Sequence, residues 1–185
     1  MLIQIKNIDF SERMSEETFC FTASLWVNGK KIGDVSNRGH GGCDEFRGDQ
    51  AAYDTANKWC KENLPKSLVG GEEYDTDLEG HVNDMMSDWL LLKDLKRTMS
   101  KRALFSRADI PLSMLAYKPL RKPDDYLLAA VKEKHPNAIV LNDMPLAEAF
   151  AIYKAESHNI DWRKQSFLQR VAAVEAASNV VGGRG

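Results

Sequence analysis

An α+β fold is predicted: a small N-terminal antiparallel β-sheet packed by helices, followed by a mostly helical C-terminal half with one long central helix. Three stretches carry that expectation. Over 18–27, Phe19, Phe21, Ala23, Leu25 and Val27 alternate with Cys20, Thr22, Ser24 and Trp26, the period of a half-buried strand. Asn28-Gly29 follows at once, a pair suited to the two positive-φ positions of a type I′ hairpin turn. From 76 to about 102, Val82, Met85, Met86, Trp89, Leu92, Leu95 and Met99 recur at three- and four-residue steps, the spacing of one helical face.

The remaining elements follow in order. Residues 2–10 read as the first strand, with Ile3, Ile5, Ile8 and Phe10 toward the core. A polar turn at 11–17 leads into the second strand, and 30–36 returns as its partner, which sets Ile32 opposite Leu25. The stretch 37–48, NRGHGGCDEFRG, holds four glycines and reads as a loop. A helix over 49–63 packs through Ala52, Tyr53, Ala56, Trp59 and Cys60 and ends at Leu64-Pro65; 66–74 links it to the long helix. Thr76 and Glu79 have capping-box spacing at that helix's start, and Leu90 and Leu91 widen its apolar face. Beyond it, 103–106 and 138–141 read as short strands, with Pro111, Pro119 and Pro123 interrupting the chain between them. Residues 124–134 read as a helix, Asn142 or Asp143 as the cap of a helix starting near Pro145, and 161–178 as a final helix burying Trp162 and Phe167. The predicted organisation is a hairpin-and-helix region over 1–66 and a mostly helical region over 67–185, as one domain or two closely packed halves.

Charge is sorted along the chain. The formal net charge is −2, yet residues 1–90 hold 9 Lys/Arg against 17 Asp/Glu, and residues 91–185 hold 16 against 10. Two halves of opposite sign offer a partner two different electrostatic surfaces. Three widely spaced cysteines, Cys20, Cys43 and Cys60, suggest no disulfide framework, so reduced thiols and a cytoplasmic protein are expected. The N-terminus alternates apolar with polar, unlike a signal peptide, and no apolar run approaches the roughly 20 residues that span a bilayer. No membrane partner is expected.

Two stretches are candidate sites. The glycine-rich loop, with Asn37, Arg38, His40 and Arg47, runs into a helix start, where converging backbone N–H groups bind anions. It lacks the Gly-Lys-Ser/Thr of a P-loop and the spacing of a dinucleotide fingerprint, and Asp44, Glu45 and Asp49 would repel a phosphate. The bland alternative is a bent connection whose turns need glycine. His40 and Cys43 have zinc-chelating spacing, but a structural zinc needs four ligands and no second pair stands nearby, so no metal or cofactor is assigned. The second candidate is the basic face formed by Lys93, Lys96, Arg97, Lys101, Arg102 and Arg107, extended by Arg121 and Lys122 in the KPLRK cluster, which could follow a phosphate backbone. Against it stands a solvated helix end favoured by the dipole. The acids from Glu72 to Asp88, including Asp84 and Asp88 on one helical face, have the matching explanation at the helix start.

The order VNGKKIG, N-x-G-x-G-G, WLLLKDLKR and NAIVLNDMP resembles uncharacterised small proteins of phages and mobile elements over most of the chain. The resemblance implies a context, not an activity: such proteins often bind a host macromolecule rather than turn over a substrate. The favoured reading is therefore a non-enzymatic macromolecule-binding protein, an inhibitor of a host defence or nucleic-acid-processing complex. Its partner would be a host protein or nucleoprotein complex, with nucleic acid as a further partner class. Two alternatives stand beside it: a metal-dependent, nuclease-like enzyme using the loop, His40 and nearby carboxylates, and a nucleic-acid-binding accessory protein.

Overall fold

A four-stranded antiparallel sheet opens the chain, in the order β1 (Ile3–Phe10), β2 (Cys20–Val27), β3 (Lys30–Arg38), β4 (Glu45–Gly48). The computed structural model describes residues 1–107, 114–117 and 123–157. It divides into two compact units, Met1–Ser87 and a second beginning at Asp88. The fold is α+β, as predicted.

The β2–β3 hairpin forms where the sequence placed it. Asn28 and Gly29 take φ of 48° and 80°, and Asn28 also ties down the N-terminus, its Oδ1 accepting from the Leu2 N–H at 2.9 Å. The predicted pairing of Ile32 with Leu25 is corrected. A bulge at Leu25/Trp26 puts Gly33 opposite Leu25, where a Cβ would lie 2.6 Å from both the Phe46 ring and the Arg47 carbonyl. Only glycine fits there, so the register slips by one. In β1 a second irregularity between Lys6 and Asp9 leaves Asn7 at φ 53°. The predicted loop 37–48 is shorter than expected, because β3 extends to Arg38 and residues 45–48 form β4.

Helix α1 (Gln50–Asn63) starts at Asp49, whose side chain accepts from the Ala52 N–H, and buries Ala56 and Cys60. The predicted link 66–74 is a small hairpin of β5 (Ser67–Val69) and β6 (Glu72–Tyr74), with Gly70 and Gly71 at positive φ. Helix α2 (Leu78–Met99) lies within the predicted span. Its cap is corrected from Thr76 to Asp77, whose Oδ1 accepts from the Gly80 N–H at 2.8 Å. Thr76 is engaged elsewhere, its hydroxyl donating to the Pro65 carbonyl at 2.6 Å and lying 2.8 Å from the Ser67 hydroxyl. Glu79 reaches the Asp44 N–H instead of its own helix start. The buried apolar residues of the first unit include Phe21, Ala23, Leu25 and Val35 from the sheet and Leu78, Val82 and Met86 from α2.

In the second unit the helices enclose a three-stranded antiparallel sheet, ordered β8 (Met114–Tyr117), β7 (Ala103–Arg107), β9 (Ala138–Val140). Over 103–105, β7 is apolar on both faces. Ala103 and Phe105 join Leu128 and Val131 of α3 (Asp125–Lys134). Leu104 joins Leu92 and Leu95 of α2 with Ala149, Phe150, Ile152 and Ala155 of α4 (Leu146–Ser157). Each fully buried Leu or Phe here contributes roughly 1.5–3 kcal/mol. The 3₁₀ turn Leu141–Asp143 separates β9 from α4. The cap predicted there is corrected too. Asn142 bonds back to the end of α2, donating to the carbonyls of Met99 and Arg102 and accepting from the Leu104 N–H, while Asp143 pairs with Lys132. The predicted helix 161–178 lies outside the described residues.

Replacing Gly29 with Val should lower stability by about 1–2 kcal/mol, since a β-branched residue resists positive φ. Nothing surrounds a Cβ at this position, so the loss is conformational and not steric. An unchanged denaturant midpoint would refute it.

Candidate functional site

The glycine-rich loop is organised by one side chain. Asn37 is 8% exposed and uses both ends of its amide. Its Nδ2 donates to the Gly42 carbonyl at 2.8 Å and to Asp44 Oδ1 at 2.9 Å; its Oδ1 accepts from the Gly39 N–H and the Thr18 hydroxyl, both at 2.8 Å. The Gly39 carbonyl in turn accepts from the N–H groups of Glu16, Glu17 and Thr18. Gly39 sits at φ +89°, and a Cβ on it would come 2.1 Å from the Met14 carbonyl. These bonds turn the loop inward, so its amides serve the fold before any anion.

The far end of the loop meets carboxylates. The Asp44 N–H donates to Glu79 Oε1 at 2.9 Å, which joins the loop to the first turn of α2. Burial pushes the Asp44 carboxyl up to about 6; the Asn37 hydrogen bond opposes that, and Glu79 and Asp77 add to it. Burial and then the same acids raise the Tyr53 hydroxyl as well. Neither this acid group nor its link to Asn37 was foreseen. The only sequence signal was the crowding of acids near 72–88, which gave no hint that Asp44 joins them.

Arg38, His40 and Arg47 come together around a groove of about 670 Å³ on the outer face of the sheet, with Asp9, Thr22, Asp34, Ser36 and Glu45. Charges there are balanced locally. Arg38 and Arg47 each stand 3.5 Å from Glu45, His40 Nδ1 lies 3.1 Å from Glu16, and Asp34 pairs with Lys31. Cys43 is exposed and Cys60 buried, both as free thiols. Among the described residues no three His, Cys, Asp or Glu side chains stand together as metal ligands.

The end of α2 differs. Lys93, Lys96, Arg97, Lys101 and Arg102 are all exposed, interleaved at helical spacing with the buried Leu92 and Leu95. Arg97 pairs with Asp94 at 2.5 Å, and Asp94 also accepts from the Tyr153 hydroxyl at 2.6 Å. Tyr153 first and then Arg97 hold the Asp94 carboxyl below its usual range against burial, while burial and Asp94 push Tyr153 up to about 12. Lys93 lies over the Trp89 ring, 5.0 Å from its centroid. Lys132 and Lys154 are committed to Asp143 and Asp88. By contrast, Lys96, Lys101 and Arg102 make no ion pair among the described residues. Arg107 is described only as the last residue of β7, and Arg121 and Lys122 lie outside the described residues.

No family model matches the sequence, no curated protein matches it, and no solved structure matches its fold. Among the described residues, no helix is long and apolar enough to cross a membrane.

Asn37→Ala should destabilise the protein by about 1–3 kcal/mol, since buried backbone groups lose their partners. His40→Ala and Arg47→Ala remove exposed, locally paired charges and should stay within about 0.5 kcal/mol of wild type. Thermal denaturation of the three variants separates knot from surface; equal effects would refute the distinction.

Proposed function

We propose that this chain is a non-enzymatic protein that binds an anionic macromolecule through the basic end of α2. One observation carries the reading: Lys96, Lys101 and Arg102 are exposed, close in sequence and without an acidic partner among the described residues. A helix C-terminus attracts cations through its dipole, and that was their simplest structural explanation. Here, however, the carbonyls of Met99 and Arg102 are taken by the Asn142 amide. These three side chains are therefore not needed as hydrogen-bond donors to those carbonyls, and no acid among the described residues pairs with their charge. The groove on the sheet, where each arginine faces a glutamate, generates no comparable field. The mobile-element resemblance supports a narrower proposal, that the anionic partner belongs to a host defence or nucleic-acid-processing complex.

The triple reversal Lys96→Glu, Lys101→Glu, Arg102→Glu should leave the circular dichroism spectrum unchanged, because all three side chains are exposed. With fluorescently labelled duplex DNA or RNA as the probe, wild-type affinity should fall steeply with salt. The reversal should abolish binding; neutralising only these three positions with Gln should reduce the log–log salt slope by about 3, near one unit per lost phosphate contact. Binding that is indifferent to salt and survives the reversal would overturn the reading.

A further inference from the structure

We propose that Asp44 is a pH-sensitive latch: its protonated carboxyl holds the end of the glycine-rich loop against the first turn of α2, and its ionised carboxylate loosens it. The geometry supplies each part. Three hydrogen bonds join residues 42–44 to the rest of the first unit: Asn37 Nδ2 to the Gly42 carbonyl, Asn37 Nδ2 to Asp44 Oδ1, and the Asp44 N–H to Glu79 Oε1. The other carboxyl oxygen, Asp44 Oδ2, is sealed from solvent and has no hydrogen-bond partner. A buried carboxylate oxygen without a donor is unfavourable, whereas a protonated one is itself a donor.

Among the described residues, the charged groups that act on the Asp44 carboxyl are acids. From β3 comes the neutral Asn37 amide; from the start of α2 come Glu79 and the cap residue Asp77; from α1 comes Tyr53, a neutral hydroxyl whose ionisation is itself opposed by Asp44, Asp77 and Glu79. Ionising Asp44 adds a third carboxylate beside two others, and the Asp44 N–H must still approach one of them. The bonds of Asn37 to Thr18 and Gly39 run through its Oδ1, not through the Nδ2 that meets this carboxyl.

The direction follows from linkage. Folding raises the Asp44 carboxyl from 3.8 to about 6. A raised carboxyl contributes stability that is full below the unfolded value and is lost as pH rises through the folded value. The latch is closed at pH 5 and open above pH 7. His40 pairs with Glu16 and not with Asp44, so a His40 variant leaves the Asp44 contacts in place.

Amide hydrogen exchange, corrected for the intrinsic pH dependence, tests the latch in the intact chain. Protection at the Asp44 amide should fall by about tenfold or more between pH 5 and 7.5, tenfold corresponding to one unit of pKa difference. Asp44→Asn, isosteric and uncharged, should hold its protection constant, and His40→Gln should leave the wild-type transition in place. Carbon-13 NMR of the wild-type Asp44 carboxyl should titrate near pH 6, with the Asp44 N–H shift moving in step; this measurement stands even if a variant fails to fold. A carboxyl midpoint near 4, pH-independent protection in wild type, or a transition that survives in Asp44→Asn would overturn the proposal.

Discussion

A backbone amide or carbonyl removed from water needs a partner wherever a strand or helix ends, and this chain meets that demand with two asparagine side chains. Asn37 closes the turn after β3, and Asn142 closes the junction between α2 and β7. Asn142 spends both donors and its acceptor on backbone groups some forty residues away, and Asn37 joins the Gly42 carbonyl and Gly39 N–H to the Asp44 carboxyl and Thr18 hydroxyl. A primary amide is a short, uncharged side chain that offers two N–H donors together with an acceptor oxygen. Where these two sit, the chain can reverse direction without leaving buried polar groups orphaned.

That division of labour shapes the surface. Because an uncharged amide closes the end of α2, the lysines and arginine around it stay in water. Because an uncharged amide closes the glycine-rich loop, the loop's nitrogen donors turn inward, and its exposed side chains are left to pair with neighbouring acids. The same economy leaves Asp44 exceptional: it is drawn into the knot as an acceptor, next to Asp77, which caps α2, and Glu79, which accepts its own N–H.

Periodicity made much of the fold legible. The alternation over 18–27, the Asn28-Gly29 turn and the stripe from Val82 to Met99 depend on local patterning alone, and each element lies where that patterning put it. Helices α1 and α3 also lie within their expected spans, and the aspartates at which those spans began, Asp49 and Asp124, cap them. Reading failed where tertiary partners decide. Ile32 lost its place to Gly33 because of a ring on β4, itself too short and too glycine-flanked to stand out. Thr76 and Asn142 have capping chemistry and a capping position, but each found a better acceptor or donor across the fold. The exposed basic end of α2 was readable as charge; its independence from helix capping was not, because that rests on Asn142, some forty residues away in sequence. Asp44 was read only as an obstacle to phosphate, since nothing local announces that Glu79 and Asp77 lie beside it.

The irregularity in β1 bears on how the protein behaves at high concentration. Among the described residues β1 is an edge of its sheet, with a row of main-chain groups open to another strand. Such an edge is a template for chain-to-chain pairing, and folded proteins blunt it with bulges and charged side chains. Asn7, in the left-handed region, breaks the ladder in the middle of β1, and Lys6 beside it lies over the Trp26 ring at 4.5 Å. An incoming strand would find only short, offset runs on either side of the break, too brief to zip. The N-terminal hairpin can therefore keep its apolar isoleucines in a strand without recruiting a neighbour's, which favours crowding tolerance over fibrous assembly.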